Sequence, residues 1–264
     1  MKITHIRKLV FSPTGSTQKV VDIVSDVWKQ PKEEIDLSNP DIDFSQYCFT
    51  SHDLCFVAVP SYGGRVPEIA VKHLKMIRSM NSPVILIATY GNRAYDDTLL
   101  ELKEVMKAQG FLCVSAISAV CEHSIMRQFG MGRPDKLDIM QLTEFATNIR
   151  DILDKVADME EVGVPGNYPY REYNGVPLKP KASRKCVECG LCAKQCPVKA
   201  IDINNPKKTD EKKCISCMRC IKVCPQNARK CNSLILVAAT KKMMKACAGS
   251  KPNQLFVGKL EDKA

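Results

Sequence analysis

The segment KCVECGLCAKQCPVKAI at residues 185–201 recurs as KCISCMRCIKVCPQNAR at residues 213–229. Each copy has the spacing C-x2-C-x2-C-x3-C-P, and the four cysteines of the first copy return in the second with a constant offset of 28 residues. The two copies hold eight of the chain's 14 cysteines. Cysteines clustered in this way bind metal more often than they form disulfides in a reducing compartment. The repeat therefore predicts a small pseudo-twofold unit that holds metal.

The spacing within each copy favours one kind of metal centre. Three thiolates placed three residues apart can wrap one iron–sulfur cube, with the backbone N–H groups of the loop directed at its sulfides. Structural zinc sites typically use pairs of ligands that longer spacers separate, and the triple spacing fits them poorly. We therefore expect iron–sulfur clusters rather than zinc.

The two copies differ after their fourth cysteine. Ile201 aligns with Arg229, and Ile203 aligns with Cys231. A charge or a thiol beside one cluster would shift its reduction potential, because net charge and hydrogen bonds to sulfur tune it. The same two side chains could equally lie on the surface, and the sequence leaves both possibilities open.

The residues before the repeat alternate between apolar runs typical of strands and patterns typical of helices. We predict strands at Ile6–Ser12, Glu34–Leu37, Leu54–Val59, Val84–Thr89 and Phe111–Val120. We predict helices at Thr17–Trp28, Pro67–Ile77, Asp97–Gln109 and Asp135–Val156. This alternation indicates a parallel sheet covered on both faces. Ligands of such sheets bind beyond the carboxyl ends of the strands, here the loops 12–17, 60–66, 90–96 and 121–134.

Composition divides the chain into four parts. They are a first domain at 1–158, a linker at 159–180, a cluster domain at 181–232 and a tail at 233–264 that is helical in part. The linker is rich in proline and glycine and carries Tyr168, Tyr170 and Tyr173. These tyrosines either pack the linker onto one domain, which we favour, or bring one ring near a cofactor. The basic tail segment Lys241–Lys245 is expected to pack against a domain with its lysines in water.

The charge is distributed unevenly. The chain carries a formal net charge of +10, of which residues 1–158 contribute −2 and residues 159–264 contribute +12. Such a basic segment can bind nucleic acid or an anionic membrane. Anionic clusters and a phosphate would neutralise much of the excess, so we favour a docking surface for an acidic redox protein over nucleic acid. The oligomeric state is not indicated.

Membrane insertion and secretion are not expected. The longest charge-free runs, Ser79–Asn92 and Ala108–Cys121, are 14 residues each, which is too short to span a bilayer as a helix. The first residues have no long apolar core and no small-residue cleavage site, so they do not resemble a secretory signal. We therefore expect a cytoplasmic protein. Cys55 and Cys113 lie within apolar strands and are expected to be buried as small hydrophobic side chains.

The loop after the first strand has the composition of an anion site. It reads Ser12-Pro13-Thr14-Gly15-Ser16-Thr17, and hydroxyl and backbone N–H groups at the start of a helix bind phosphate. The loop lacks the Lys-[Ser/Thr] pair of ATP sites, and no G-x-G-x-x-G follows a strand, so neither an ATP site nor a nicotinamide site is indicated. A simple helix cap is the alternative.

Two further loops combine aromatic residues with glycine at the same edge of the predicted sheet. They read Pro60-Ser61-Tyr62-Gly63-Gly64-Arg65-Val66-Pro67 and Thr89-Tyr90-Gly91-Asn92-Arg93-Ala94-Tyr95. A planar ring needs an aromatic or apolar wall, and it needs the close backbone approach that glycine permits. In the alternative, Tyr62 and Tyr90 merely cap the sheet.

These motifs resemble those of known families. SPTGST is similar to the flavodoxin phosphate loop, T/S-x-T-G-x-T, and residues 1–158 resemble flavodoxins. The cysteine repeat resembles that of bacterial two-cluster ferredoxins, and the whole chain resembles the flavodoxin–ferredoxin fusion proteins of anaerobic bacteria, archaea and some protists. Ser16 stands where flavodoxins often have Asn, and the first domain lacks their strongly acidic surface.

The resemblance implies a fold and a set of site residues. The implied fold is an α/β, doubly wound, five-stranded parallel sheet of order 2-1-3-4-5, followed by a small α+β ferredoxin domain with two [4Fe-4S] clusters. The first cluster would be held by Cys186, Cys189, Cys192 and Cys224, and the second by Cys214, Cys217, Cys220 and Cys196. FMN would be held by Ser12, Thr14, Gly15, Ser16, Thr17, Pro60, Ser61, Tyr62, Gly63, Gly64, Thr89, Tyr90, Gly91, Asn92 and Tyr95.

The implied function is electron transfer between the two clusters and FMN, with redox proteins such as ferredoxins as partners. One alternative is an FMN-dependent reductase of a quinone, nitro compound, metal or oxygen that is fed through the clusters. A second alternative is a redox-sensing regulator. No catalytic residue is assigned. His123 could approach the flavin, but a surface position in its loop is favoured.

Overall fold

The computed structural model describes residues 2–155 and 159–258. The strands of its first unit are β1 His5–Val10, β2 Lys32–Asp36, β3 Cys48–Thr50, β4 Asp53–Pro60, β5 Arg78–Met80, β6 Pro83–Tyr90 and β7 Leu112–Val120. The helices of this unit are α1 Ser16–Ser25, α2 Glu68–Leu74, α3 Thr98–Ala108 and α4 Lys136–Lys155. Every predicted element is therefore present. The predicted end of the last helix, Val156, and the predicted domain end at residue 158 lie outside the described residues.

The central sheet has the doubly wound order that the resemblance implied. Five parallel strands lie in the order β2-β1-β4-β6-β7, which is 2-1-3-4-5 when only these strands are numbered. Helices α1 and α4 pack on one face of the sheet, and α2 and α3 pack on the other. Burial on both faces explains why β4 and β6 are almost continuously apolar.

The five parallel strands are extended by one antiparallel strand that was not predicted. A sixth strand, β10 at Gln254–Val257, pairs antiparallel with β7, so that Phe256 lies opposite Ala116. These residues belong to the predicted tail, and they return to the sheet of the first unit. Four residues give too short a pattern to predict a strand, and this strand forms because it covers the otherwise unpaired edge of β7.

Two helices end earlier than predicted. Helix α1 ends at Ser25, although Trp28 remains buried and packs edge-on against Phe56 with the ring centroids 5.2 Å apart. Helix α2 ends at Leu74 because the chain soon enters β5, which pairs in parallel with β3 in a small separate sheet. Periodicity did not show this sheet, since both of its strands are three residues long.

The cysteine repeat folds as two similar half-units. Their elements are β8 Lys181–Ala182, α5 Leu191–Lys194, α6 Arg219–Lys222 and β9 Arg229–Lys230, and β8 pairs antiparallel with β9. The short helices α5 and α6 follow Gly190 and Met218, which both have left-handed backbones with φ of +73° and +62°. The two helices start 28 residues apart, which is the offset of the cysteines.

The tail begins with helix α7 at Ser233–Met243. None of the α7 residues is fully buried, and Leu234 is 80% exposed. Lys241 and Lys242 are exposed, as expected, whereas Leu236, Ala239 and Met243 are half-buried. No helix in residues 2–155 and 159–258 is long and apolar enough to cross a bilayer.

Asn253 fastens the tail to the first unit and provides a test of this arrangement. Its buried amide donates to Asp138 Oδ1 at 2.8 Å and to Gln141 Oε1 at 2.9 Å, and it accepts from the backbone N–H of Val120 at 2.9 Å. Asn253→Ala leaves these groups unpaired, and we expect it to lower the free energy of unfolding by about 2 kcal/mol. Denaturant unfolding followed by the fluorescence of Trp28 measures the loss.

Asn204→Ala, at an exposed position in the cluster unit, is the matched control and should change the free energy of unfolding by less than about 0.5 kcal/mol. Equal values for the two variants would contradict the role given to Asn253.

Candidate functional site

Three of the predicted ligand loops meet at one edge of the sheet. Strand β4 lies between β1 and β6, so the loops that follow these strands are neighbours. The hydroxyls of Thr17 and Thr89 lie 2.7 Å apart, and the backbone N–H of Ser61 donates to Thr89 O at 2.7 Å. These contacts bring residues 12–17, 60–66 and 89–95 into one site.

The first loop has the geometry of a phosphate cradle. Gly15 adopts a left-handed φ of +92°, and a Cβ at this position would have open space around it. Helix α1 begins at the next residue and has no acidic side chain in its first turn, so its free N–H groups favour an anion. Ser12 Oγ accepts from the Gln18 N–H at 2.9 Å, and Thr17 is buried against Thr89. Thr17 therefore supports the loop and does not face solvent.

The second loop is a tight turn covered by the linker. Tyr62 and Arg65 exchange backbone hydrogen bonds of 2.9 and 3.2 Å across Gly63 and Gly64, both of which have positive φ. The ring of Tyr173 lies so close to Gly63 that a Cβ there would clash with it. Two glycines in a two-residue turn of this kind match the type I′ geometry.

The linker tyrosines differ in their contacts. Tyr173 covers Gly63, and Tyr170 lies under the guanidinium of Arg65, whose Cζ is 4.9 Å from the ring centroid. Tyr168 is 83% exposed. Two of the three tyrosines thus pack the linker onto the first unit, as predicted. The glycine that Tyr173 covers, Gly63, is itself one of the predicted flavin residues. Tyr173 can therefore both pack the linker onto the first unit and lie near the predicted cofactor site.

Tyr62 lies where the two units meet. Its ring packs edge-on against Phe11, with the centroids 6.4 Å apart. Burial raises the pKa of its hydroxyl well above 10, and the neighbouring Cys217 and Tyr173 act in the same direction. Cys217 belongs to the second predicted cluster set, so Tyr62 joins a predicted flavin loop to a predicted cluster site.

The third loop is fastened to the tail. Three of its side chains donate hydrogen bonds there: Tyr90 OH to Pro252 O at 2.8 Å, Asn92 Nδ2 to Cys247 O at 2.7 Å, and Tyr95 OH to Gln254 Oε1 at 2.7 Å. The sequence predicted that these side chains meet a flavin ring. Their polar atoms bind the tail, and the backbone of the loop is left for a ligand. Periodicity could not show these contacts, because more than 150 residues separate the partners.

His123 packs against the third loop. A Cβ on Gly91 would lie 2.7 Å from the His123 ring, so glycine is needed at that position. Nδ1 accepts from the backbone N–H groups of Ile125 and Met126 at 3.1 and 3.2 Å, which places the proton of the neutral ring on Nε2. Burial lowers the pKa of His123 to about 4. It is therefore a half-buried support of the loop, not the surface residue that we favoured.

Three buried cysteines outside the repeat, Cys55, Cys113 and Cys121, are not reactive. Cys55 and Cys113 are fully buried, as predicted, and burial raises the pKa of each to about 12. Cys121 lies at the ligand edge of the sheet, but burial also raises its pKa to about 12. A thiol with such a pKa stays protonated at neutral pH and is not a nucleophile.

The eight repeat cysteines line two cavities. The first cavity is lined by Cys186, Cys189, Cys192 and Cys224. The second is lined by Cys196, Cys214, Cys217 and Cys220. Each cavity thus takes its fourth cysteine from the other copy of the repeat. Within residues 2–155 and 159–258, no three His, Cys, Asp or Glu side chains converge to hold a single metal ion.

Backbone hydrogen bonds orient the two exchanged cysteines in the same way. The N–H of Ala200 donates to Cys196 Sγ at 3.3 Å, and the N–H of Ala228 donates to Cys224 Sγ at 3.2 Å. Hydrogen bonds of this kind favour the thiolate and lower the negative charge that it presents to a bound metal centre. The chemistry of the donors therefore fits two iron–sulfur clusters.

The second cavity faces the phosphate loop. Arg219, in the wall of this cavity, donates from Nη1 to Ser12 O at 3.2 Å, and its Nη2 lies 3.6 Å from Asp36 Oδ2. The first cavity is more open, since Cys189 is exposed whereas Cys217 is buried. A wall residue of the second cavity thus joins this cavity to the loop at residues 12–17.

Two buried side-chain nitrogens in the described part of the chain have no hydrogen-bond partner, namely Nε of Arg219 and Nε of Arg229. A buried donor without an acceptor is costly, and each instance needs a physical explanation. One nitrogen belongs to a residue at the phosphate loop, and the other to a residue in the wall of the first cavity. Sequence reasoning singled out Arg229 by its mismatch in the repeat and missed Arg219.

Comparison with known proteins identifies the cysteine-rich part. Residues 185–228 match the model of a 4Fe-4S dicluster domain. This dicluster segment contains all eight cysteines that line the two cavities. It supports a 4Fe-4S centre in this chain. No curated protein matches the chain.

Solved structures with a similar fold match the first part of the chain. A Streptococcus pneumoniae TIGR4 flavodoxin is 18% identical and covers 56% of this chain and 99% of its own, with a TM-score of 0.40. A Fusobacterium nucleatum flavodoxin bound to flavin mononucleotide is 16% identical and covers 58% and 99%, with a TM-score of 0.36. Rubredoxin:oxygen oxidoreductase from Desulfovibrio gigas is 13% identical and covers 59% and 37%, with a TM-score of 0.41. The flavodoxin-like fold itself rests on the strand order.

The depressed pKa of His123 predicts a pH-dependent stability. The folded ring titrates near pH 4 and the unfolded ring near pH 6.5, so the unfolded state binds more protons between these values. Stability from this residue is fully present above about pH 6.5 and falls as the pH drops towards about 4, by up to roughly 3 kcal/mol. Urea unfolding at about pH 7.5 and about pH 4.5 measures the loss.

His123→Asn keeps a hydrogen-bond acceptor for the two backbone N–H groups but cannot titrate. We expect the variant to show a smaller acid-side loss than the wild type. An identical loss in both proteins would assign the pH dependence to other groups.

Proposed function

We propose that the protein is an electron-transfer iron–sulfur flavoprotein that holds two [4Fe-4S] clusters and FMN in one chain. The observation that carries this proposal is the position of the second four-cysteine cavity, which adjoins the phosphate loop through Arg219 and Tyr62. When bound, the clusters supply one-electron steps and the flavin supplies one- or two-electron steps. The chain then has to hold these groups close together and keep water from the path between them.

The proposed cluster ligands are the two sets of four cysteines that line the cavities. Cys186, Cys189, Cys192 and Cys224 hold the first cluster, and Cys196, Cys214, Cys217 and Cys220 hold the second. The units proposed from the sequence, residues 1–158 and 181–232 joined by a linker, remain a useful division. The return of β10 to the sheet makes the tail part of the first unit.

The proposed flavin site has two parts. Ser12, Thr14, Gly15 and Ser16 surround the phosphate, while Thr17 and Thr89 hold the cradle together. The ring lies between the turn at Tyr62–Arg65 and the backbone of the loop that starts at Tyr90. Ser61, Asn92 and Tyr95 act as supports of these loops, because their observed bonds are to neighbouring loops and to the tail. Pro60 lies opposite Thr89 at the end of β4.

The proposed partner is an acidic redox protein of the ferredoxin type that docks where the first cavity opens. The exposed Cys189 marks this opening, and the surrounding segment is strongly basic. Complementary charge speeds association and orients the partner. A cytoplasmic location suits this function, because thiols stay reduced there.

Cofactor analysis after anaerobic purification tests the proposal. We expect about eight iron, eight sulfide and one FMN per chain. Cys217→Ala should lose about half of the iron, whereas Cys48→Ala, which removes an exposed cysteine outside the repeat, should keep all of it. Zinc without sulfide would refute the clusters, and iron without flavin would refute the flavin site.

Arg219 provides a test of the phosphate cradle. Its Nη1 donates to Ser12 O in the loop, and we propose that its remaining N–H groups donate to the FMN phosphate. Arg219→Met should weaken FMN binding by about ten- to a hundredfold and leave riboflavin binding unchanged, because riboflavin lacks the phosphate. Quenching of flavin fluorescence in the flavin-free protein measures both affinities.

Arg184→Met, at an exposed position in the same unit, is the matched control and should alter neither affinity. The iron content of each variant is measured alongside to show that the clusters are intact. Equal losses for FMN and riboflavin would mean that Arg219 supports the interface and does not contact the phosphate.

A further inference from the structure

Arg229 is a buried cation in the wall of the first cavity. The residue is 2% exposed, and it lines this cavity together with the four cysteines of the first set. Its Nη1 donates to Thr209 Oγ1 at 2.8 Å and to Pro180 O at 3.3 Å, and its Nη2 donates to Pro206 O. Its buried Nε has no partner in the described structure. No carboxylate is among these contacts, so the charge is not neutralised by a direct ion pair.

The repeat supplies an internal comparison. Arg229 follows Cys224 by five residues, and Ile201 follows Cys196 by five residues. Ile201 lines the second cavity as Arg229 lines the first. The N–H···S bonds to the two exchanged cysteines have nearly the same length in both halves. The pseudo-twofold structure thus places an apolar side chain in the wall of the second cavity and a guanidinium at the equivalent position of the first. Arg219 also lines the second cavity, but its guanidinium donates to Ser12 O and lies 3.6 Å from the carboxylate of Asp36, which offsets its charge.

We propose that Arg229 raises the reduction potential of the first cluster above that of the second, an inference that rests on the proposed function. Reduction adds one electron to a cluster from a one-electron donor, and no bond forms or breaks and no proton moves. The negative charge at the site grows by one, and a nearby buried cation stabilises that charge strongly because the surroundings have a low dielectric constant. A hydrogen bond from Nε to a sulfur of the cluster would act in the same direction.

The effect on the second cluster has the same sign, because the guanidinium also contacts Pro180 and Thr209, which line the second cavity. The residue lines only the first cavity, however, and Ile201 occupies the equivalent wall of the second. The cluster site that opens at the exposed Cys189 is therefore the one with the higher potential.

Redox titration with dithionite, followed by electron paramagnetic resonance, tests this inference on the holoprotein. We expect two midpoint potentials in the wild type. Arg229→Gln should lower the higher one by at least about 59 mV, which is a tenfold change in the equilibrium constant of a one-electron couple, and should narrow the gap. Lys230→Gln removes the same charge from an exposed neighbouring residue and should leave both potentials unchanged.

Arg229→Lys distinguishes an effect of the charge on the reduction potential from structural support of the loops. The variant keeps the charge but loses the forked hydrogen bonds to Pro180, Pro206 and Thr209. It should therefore keep most of the difference between the two midpoint potentials, even if its melting temperature is lower. Equal losses of the gap in the Lys and Gln variants, or an unchanged gap in both, would overturn the inference.

If Arg229→Gln does not assemble clusters, the wild type and the Lys variant still decide the question. Coincident potentials in the wild type, or loss of the gap in the Lys variant, would overturn the inference. A wild-type protein without iron and sulfide would instead refute the proposed function.

Discussion

The contact between Arg219 and the phosphate loop joins the two halves of this molecule. The guanidinium of Arg219, in α6, donates to Ser12 O at the start of the loop that leads into α1. The same helix carries Cys220, so any displacement of the loop from α6 would also separate the second cavity from the sheet edge. Tyr62 and Tyr173 fill the space beside this contact. The relative position of the two proposed cofactor sites thus depends on a few interdomain residues rather than on the linker alone.

The tail gives the site its second constraint. It leaves the cluster unit, passes the third loop and ends as the edge strand beside β7. Along this path it accepts hydrogen bonds from Tyr90, Asn92 and Tyr95, and Asn253 links it to α4. A segment without a recognisable motif therefore holds the loop that was expected to bind a flavin. The first and last strands of the described residues, β1 and β10, lie in the same sheet, and the cluster unit lies between them in the sequence.

Buried charge explains the two nitrogens that lack partners. The guanidinium of Arg229 is fixed by the carbonyl oxygens of Pro180 and Pro206, which orient it without cancelling its charge. Arg219 donates to Ser12 O and is only partly offset by Asp36, whose Oδ2 lies 3.6 Å from Nη2. Burying a cation in this way is unfavourable unless an anion offsets it. Phosphate and iron–sulfur clusters with thiolate ligands are anions. In the proposed sites, each of these two cations therefore lies beside an anion that can offset its charge. Part of the positive charge of the second half thus lies inside the folded structure and not on its surface.

The sequence by itself determined the local chemistry and the order of the elements. Alternating apolar runs predicted the parallel sheet, since strands buried on both faces have to be apolar, and the cysteine spacing predicted the two metal-binding half-units. Tertiary structure alone decided that Gln254–Val257 is a strand, that Tyr90 and Asn92 bind the tail, and that Arg229 is buried beside a cavity. The reason is physical: periodicity and motif spacing report contacts within a few residues, whereas these features depend on partners that only the folded chain brings together.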